Sequence, residues 1–171
     1  MGKHYLKSKL IHFFVFASLY MNIEVIVRVI SGDMIGFQGI TLFSLVGYTS
    51  IYMGTLSGCL SLIIAFLCDS NKYFYLKAYQ KVLIGGSLIT FGELISGVIL
   101  NMWLNLSIWS YADSKFNFLG QIELVNCLFW FFLITPMIIT LDSHLTYYIY
   151  DEDKNDVIDL VKFYKDLFTG K

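Results

Sequence analysis

The sequence predicts an all-α membrane protein: a bundle of four transmembrane helices followed by an amphipathic cytoplasmic helix. The 171-residue chain is 57% hydrophobic and 15% charged, whereas a soluble domain is about half apolar and about a quarter charged. The apolar residues also lie in four blocks, at about 10–30, 40–67, 82–104 and 120–142. Each block reaches the roughly 20 residues that a helix needs to cross the hydrocarbon core.

The distribution of lysines among the connecting segments predicts how the four spans are oriented in the membrane. Six of them fall before span one or between spans two and three: Lys3, Lys7, Lys9, Lys72, Lys77 and Lys81. The other two connecting loops, 31–39 and 105–119, contain only Lys115. Because cytoplasmic segments carry the excess of Lys and Arg, both termini are expected on the cytoplasmic side of the cell (inner) membrane. The transmembrane domain is then 1–145, and the cytoplasmic tail is 146–171.

Span one contains a candidate ion pair, and span two contains a packing motif. Glu24 and Arg28 are four residues apart, so they share one helix face. Charges inside a bilayer are costly and face the protein interior or water, although Arg28 is near enough to the span end to reach the outer interface.

Gly54 and Gly58 form a GxxxG pair in the long second block, which is expected to tilt or project from the bilayer. This face could receive a second copy or a partner protein.

Span three carries a polar stripe. Steps of three and four residues along it give Thr90, Glu93, Gly97, Asn101 and Asn105, while the other faces are Leu, Ile, Val and Phe. A carboxylate on such a stripe is expected to line water or a ligand.

The segment after span three is rich in aromatic residues. Trp109, Tyr111, Phe116 and Phe118 suit the headgroup region, where amphipathic rings settle. One interpretation is an aromatic belt, and the other is a re-entrant cap over Glu93.

Span four and the tail complete the chain. Span four is predicted to open with Gly120, Gln121 and Glu123 and to kink at Pro136. In the tail, Leu160, Val161, Tyr164 and Phe168 share one face of a predicted helix, which is expected to dock on the bundle or on a partner.

Several classes of function lack sequence support. There is no basic patch for nucleic acid, no metal-ligand spacing among the cysteines and no Ser-His-Asp or HExxH set, so neither an enzyme nor a cofactor is predicted. The histidines His4, His12 and His144 are expected at the cytoplasmic interface, far from the acids.

The two halves of the chain echo each other. Ser18-Leu19 precedes Glu24 at the spacing at which Ser87-Leu88 precedes Glu93, and the outer loops end in Phe37-Gln38-Gly39 and Phe118-Leu119-Gly120. A parallel repeat of two helices would produce this pattern.

The segment GELISGVILNMWLNLSIWSYADSKFNFLGQI, residues 92–122, resembles the core of the small bacterial and phage membrane proteins grouped as ABC-transporter type IV permeases, the CmpB-like family. The matching residues are Tyr20, Glu24, Arg28, Glu93, Asn101, Trp103, Trp109, Tyr111, Asn117, Gly120, Gln121 and Ile122. Ser110, Ala112 and Lys115 replace an Asp, a Ser and a Pro of the family pattern, so a carboxylate role in this loop would fall to Asp113. The resemblance implies part of a transporter. No G-x-x-x-x-G-K-[ST] motif occurs, so an ATPase would be a separate chain.

The polar residues are expected to meet in the outer half of the bilayer, while the cytoplasmic half of the helices is expected to be almost purely apolar. The candidate solute- or ion-binding residues are Glu24, Arg28, Glu93, Asn101, Trp109, Tyr111, Asn117, Gln121 and Glu123. Three acids face Arg28 alone, so either a cation enters or a Glu holds a proton. The first hypothesis is a permease-like or solute-binding subunit for a small polar or cationic solute. The alternative is a phage- or host-membrane interaction or assembly factor in which Glu24, Arg28 and Glu93 form a structural clamp.

Overall fold

The computed structural model describes residues 3–32, 35, 41–150 and 158–170. In this part of the chain four helices are long and apolar enough to cross a membrane: Leu6–Ser31, Ile51–Cys68, Ala78–Trp103 and Leu124–Ile149. The predicted all-α fold with four spans is therefore confirmed, and the chain is a multi-pass membrane protein.

The elements follow one another along the chain with short connections. The first half contains α1 (Lys3–Ser31), a 3₁₀ turn (Leu42–Ser44), α2 (Ile51–Cys68), the short α3 (Asn71–Phe74) and α4 (Ala78–Gly97), which continues as a π-helical segment, Val98–Trp103. The second half contains β1 (Asn117–Phe118), β2 (Ile122–Glu123), α5 (Leu124–Phe129), a π-helical segment (Trp130–Ile134), α6 (Thr135–Tyr150) and α7 (Leu160–Thr169). We call the end of the bundle near Cys68 and Ala78 the tail end, and the end that carries residues 104–123 the loop end.

Two predicted span boundaries are wrong. The second helix begins at Ile51 and not near 40, because Ser50 is its N-cap, with a side chain that accepts a hydrogen bond of 3.2 Å from the backbone N of Tyr52. The second span is therefore of ordinary length. The fourth span begins at Leu124 and not at 120, because Leu119 and Gly120 take positive φ and form the turn of the β1–β2 hairpin.

The GxxxG face of α2 packs inside the chain. A Cβ on Gly58 would lie 2.6 Å from the ring of Phe13, and Gly54 is in similarly close contact with Met21, so the two glycines let α1 approach α2. The expectation that this face receives another copy or a partner does not fit the structure, since α1 already occupies it. The predicted repeat stays a prediction, because residues 36–40 lie outside the described part of the chain.

The fourth span changes its helical geometry next to Pro136. The π-helical segment ends at Ile134, just before the proline, which has no N–H to give to the carbonyl of Phe132 four residues earlier. That carbonyl instead accepts a hydrogen bond of 2.6 Å from the hydroxyl of Tyr164 on α7. The proline was expected to disturb the helix, and the carbonyl that it leaves without a helical partner is the one that binds α7.

The amphipathic tail helix docks on the bundle. Its N-cap is Asp159, whose side chain accepts a 3.0 Å hydrogen bond from the backbone N of Lys162, and its last turn ends at Gly170 with positive φ. Phe163 is buried. The face of α7 that carries Phe163 packs against the chain's own bundle and therefore needs no partner protein to cover it.

Candidate functional site

A polar cavity of about 620 Å³ lies at the loop end of the bundle. Its walls come from α1, the segment before α2, the loop after α4 and the first turns of the fourth span. Six of the nine residues predicted from the sequence line it: Glu24, Arg28, Asn101, Trp109, Tyr111 and Gln121. Helix periodicity accounts for Glu24, Arg28 and Asn101, because it fixes which residues of spans one and three share a face. Trp109, Tyr111 and Gln121 lie outside these helices.

The charged wall of the cavity is the ion pair on α1. Arg28 Nη2 lies 3.2 Å from Glu24 Oε1, as the four-residue spacing predicts. Arg28 Nη1 also donates to the hydroxyl of Tyr48 at 2.7 Å, while Thr49 donates to the second oxygen of Glu24. Tyr48 and Thr49 belong to the irregular segment before α2, so this pair holds that segment against α1 and keeps Arg28 inside the cavity wall.

Glu93 lies beneath the floor of this cavity and not in its wall. The carboxylate is 2% exposed. Trp130 Nε1 donates to Oε2 at 2.6 Å, and the hydroxyl of Tyr111 donates to Oε1 at 3.0 Å. Both donors also line the cavity, so two aromatic side chains separate the carboxylate from the polar space above it. Below Glu93 a narrow apolar slot runs between the helices toward Ile138.

Tyr111 connects the loop to Glu93 on α4. Burial, with a smaller contribution from the neighbouring Glu93 carboxylate, raises the pKa of the Tyr111 phenol. The phenol therefore keeps its proton and acts as a hydrogen-bond donor to Glu93.

One side of the aromatic loop packs over α4, and the other side is exposed. The indole of Trp109 is buried and donates to the backbone O of Gln121 at 2.9 Å. Asn101 Nδ2 donates to Gln121 Oε1 at 2.9 Å, and Asn101 Oδ1 accepts from the backbone N of Ile108 at 2.6 Å. These bonds hold the loop over α4. Phe116 and Phe118 are exposed, as an interfacial belt requires.

The polar stripe on α4 extends as far as Asn101. A Cβ on Gly97 would lie 2.6 Å from Gln121 Oε1, so the missing side chain is what lets the Gln121 amide sit against the helix. Asn105 does not continue the stripe, because the chain has left the helix after Trp103 and Asn105 is exposed with positive φ.

Besides Glu93, two of the predicted site residues do not line the cavity, namely Asn117 and Glu123. Asn117 holds the hairpin turn: its Oδ1 accepts from the backbone N of Gly120 at 2.9 Å, and its Nδ2 donates to the O of Ser114 at 2.6 Å. Glu123 pairs with Asn117 across the hairpin and precedes α5. Asp113 is exposed on the loop, so it does not supply a carboxylate to the cavity, whereas Ser110 does line it.

A second polar cluster, which sequence reasoning missed, lies at the tail end. Lys9 Nζ lies 3.2 Å from Asp142 Oδ1 and 2.9 Å from Asp69 Oδ2, and His12 Nδ1 lies 3.4 Å from Asp142 Oδ1. Lys9, His12 and Asp142 are each at most 4% exposed. The expectations of an almost purely apolar cytoplasmic half and of an interfacial His12 are therefore wrong. The sequence did contain a signal for this cluster: Lys9 and His12 are three residues apart on α1, and residues at that spacing share a helix face.

The described residues contain no group of three or more His, Cys, Asp or Glu side chains arranged to hold a metal ion. The polar atoms of the cavity are carboxylate, guanidinium, amide and hydroxyl groups, which suit hydrogen bonding and ion pairing with a small solute.

Comparison with known proteins agrees with this architecture. Neither the curated proteins nor the solved structures provide a significant match. A family model described as "Putative ABC-transporter type IV" matches residues 11–163 and so covers most of the first span, the other three spans, the loop and the start of α7. The chain therefore belongs to this ABC-transporter type IV family of membrane proteins.

Proposed function

We propose that the chain is the permease-like, solute-binding membrane subunit of a transport system, and that the cavity at the loop end receives a small polar or cationic solute. The observation that best supports this is a polar cavity of about 620 Å³ with the buried Glu93 carboxylate directly beneath its floor. Small-molecule sites usually have volumes of about 300–1,000 Å³. Family membership supports a role in membrane transport.

The charges around the cavity favour a cation. Glu24 in the wall pairs with Arg28, the one guanidinium among the lining residues, while a second carboxylate, Glu93, lies beneath the floor and is bonded to Tyr111 and Trp130. An excess carboxylate in a poorly solvated site is costly unless a positive charge or a proton compensates it. A solute cation can supply that charge, and aromatic rings such as those of Tyr20 and Phe129 in the wall attract cations further.

Glu93 would respond to the solute through its two donors. Tyr111 belongs to the cap and Trp130 to the fourth span, and both bonds must break before the carboxylate can meet the cavity. A solute that moves the cap would therefore uncover Glu93, which could then bind the solute cation or carry a proton with it.

The proposal also includes the side of the membrane on which the cavity opens and the energy source of transport. The excess of lysines at the tail end favours a cytoplasmic tail end and a cavity open to the outside. Since the chain has no phosphate-binding G-x-x-x-x-G-K-[ST] loop, a separate ATPase chain would drive transport.

Solute binding can be tested with the purified chain in lipid nanodiscs. Trp109 and Trp130 line the cavity, so tryptophan fluorescence reports its occupancy during titration with a panel of organic cations, amino acids and sugars. We expect a saturable signal with at least one cation and a loss of affinity of about tenfold, equal to about 1.4 kcal/mol, in Glu24→Gln and in Glu93→Gln. Glu123→Gln makes the same chemical change outside the cavity and should bind as the wild type does. Equal affinity in all three variants, or no saturable response to the whole panel, would contradict the proposal.

A structural role for Glu93 is the second candidate, because both of its oxygens are already bonded within the chain. In that case the protein would be a non-transport interaction or assembly factor. Glu93→Gln would then lower the unfolding temperature without any ligand being affected. Under the transport proposal the same variant stays folded and loses only binding, so measuring both quantities separates the two candidates.

A further inference from the structure

The tail helix α7 has an apolar edge that the bundle does not cover. Viewed down the helix, Phe163 and Leu167 pack against the bundle, while Val161 and Phe168 lie on the adjacent side of the same apolar face. Val161 and Phe168 are each 77% exposed. These two side chains form an apolar edge whose removal from water would be favourable.

The position of α7 relative to the spans identifies that partner. The backbone O of Gly170, which caps α7, accepts a hydrogen bond of 3.2 Å from Lys77 Nζ. Lys77 immediately precedes Ala78, the first residue of the third span, so this end of the helix lies where the span enters the membrane. The backbone N of Ile158, just before α7, donates to Ser143 Oγ on the fourth span at 2.7 Å. Both ends of α7 are thus attached to spans near the membrane surface.

The Tyr164 side chain extends from the middle of α7 toward the interior of the fourth span. The hydroxyl of Tyr164 donates to the carbonyl of Phe132, which lies well inside the fourth span, Leu124–Ile149. The Tyr164 ring stacks on Phe168 with 6.4 Å between ring centroids. Phe132 is itself half exposed on the outer side of the bundle, where a span meets lipid. The exposed edge of α7 is therefore continuous with a lipid-facing surface.

The opposite side of α7 is polar. Lys162, Lys165 and Thr169 are exposed there. A helix with one apolar face, one polar face and attachment at the membrane surface matches the geometry of an interfacial helix, which lies in the plane of the headgroups.

We propose that α7 is an interfacial helix, and that its Val161–Phe168 edge is buried among the lipids of the leaflet at the tail end of the bundle. The contact is apolar and not electrostatic, because acids outnumber lysines in residues 151–171. Zwitterionic lipid is therefore sufficient for it. The proposal does not depend on whether the cavity at the other end binds a solute.

Neighbouring cysteine variants test this placement. Phe168→Cys is compared with Thr169→Cys, and Val161→Cys with Lys162→Cys, so each pair changes adjacent residues that are all exposed on the protein itself. Each variant is reconstituted in nanodiscs of zwitterionic lipid, where both membrane faces are accessible, and is treated with a charged maleimide that does not enter lipid. The wild-type chain gives the background from Cys59, Cys68 and Cys127, which lie in the spans.

We expect Val161→Cys and Phe168→Cys to react at least about tenfold more slowly than Lys162→Cys and Thr169→Cys, since a thiol reacts as the thiolate and lipid disfavours that ion. A fluorophore attached at 168 should be quenched by lipids brominated in their acyl chains, and one at 169 much less. Similar fast labelling at all four positions would overturn the proposal, because the edge would then be in water. Slow labelling at 161 and 168 without lipid quenching would also overturn it and would identify a second copy of the chain as the cover.

Discussion

Trp130 Nε1 donates a hydrogen bond of 2.6 Å to Glu93 Oε2, and this bond joins the third span to the fourth in the middle of the bundle. The Trp130 ring also lies 5.7 Å from the ring of Tyr20 on the first span. The first and third spans are therefore both in contact with Trp130 of the fourth. The cap over the cavity reaches the same carboxylate through Tyr111.

Replacing Trp130 by Phe should destabilise the protein. The change removes the donor but keeps an aromatic ring, and it leaves one oxygen of a buried carboxylate without this partner. Such a loss costs about 1–3 kcal/mol. Trp103→Phe is the matched control, since Trp103 is exposed at the end of the third span. The unfolding free energy of both variants in detergent micelles checks this, and equal values for the two would contradict it.

Gly97→Ala should loosen the cap. The new Cβ would lie within 3 Å of both Oε1 and Cβ of Gln121, so the Gln121 side chain would have to move. That movement would disturb its bond to Asn101 and the Trp109 contact with its backbone. Overpacking of this kind costs about 1–3 kcal/mol.

The measurement for Gly97→Ala is hydrogen exchange of the loop amides together with the unfolding temperature. The amide of Ile108, which donates to Asn101, should exchange faster in the variant. Val98→Ala, at the next position on a side that faces outward, serves as the control and should leave that amide unchanged. Unchanged protection of Ile108 in Gly97→Ala would show that the cap does not depend on this close approach.

Hydropathy predicted the four spans but not where each helix begins. Apolar residues such as Leu45 and Leu119 are compatible with the membrane interface in extended or turn conformations, and both take positive φ. The helix boundaries depend on local groups that hydropathy does not report. Ser50 caps the second helix, and the turn at Gly120 delays the fourth.

Helix periodicity predicted part of the site because it relates residues on one helix. It brought Glu93 and Asn101 to one face of the third span, and the resemblance to the family added Gln121 from the hairpin. It did not reveal that Trp130 from another span lies between Glu93 and the cavity. It also missed the pairing of Lys9 with Asp142, because no pattern within one helix relates residues on the first and fourth spans.

The pH dependence of stability should carry a contribution from Tyr111. Burial raises the pKa of its phenol above the ordinary value of 10. Above about pH 10 the unfolded chain releases this proton while the folded chain retains it, so stability is complete below that pH and falls as pH rises. One such proton changes the slope by up to about 1.4 kcal/mol per pH unit.

Tyr111→Phe removes this proton and should therefore lose stability less steeply above pH 10, although its stability at neutral pH is lower because the bond to Glu93 is gone. Unfolding measured at several alkaline pH values in both proteins checks the difference in slope. The other buried tyrosines contribute equally to both proteins, so parallel curves would mean that Tyr111 titrates in the folded protein as it does in the unfolded one.

Lys9→Met should be among the most destabilising single substitutions in the bundle. The ammonium group lies within 3.2 Å of both Asp142 and Asp69, and Asp142 is 4% exposed. Removing one partner of a buried ion pair costs about 3–5 kcal/mol, because the remaining charge loses its compensation. Lys72→Met, at an exposed lysine of the same end, should have little effect.

The double variant Lys9→Met/Asp142→Asn separates the ion pair from packing. It removes the buried charge on both sides while Asp69, which is 31% exposed, keeps access to water. We therefore expect the double variant to recover a large part of the stability that Lys9→Met loses, as measured by the unfolding free energy of all four proteins of the cycle. If the double variant were as unstable as the sum of its single changes, the contribution of Lys9 would come from packing of its side chain against the helices and not from its charge.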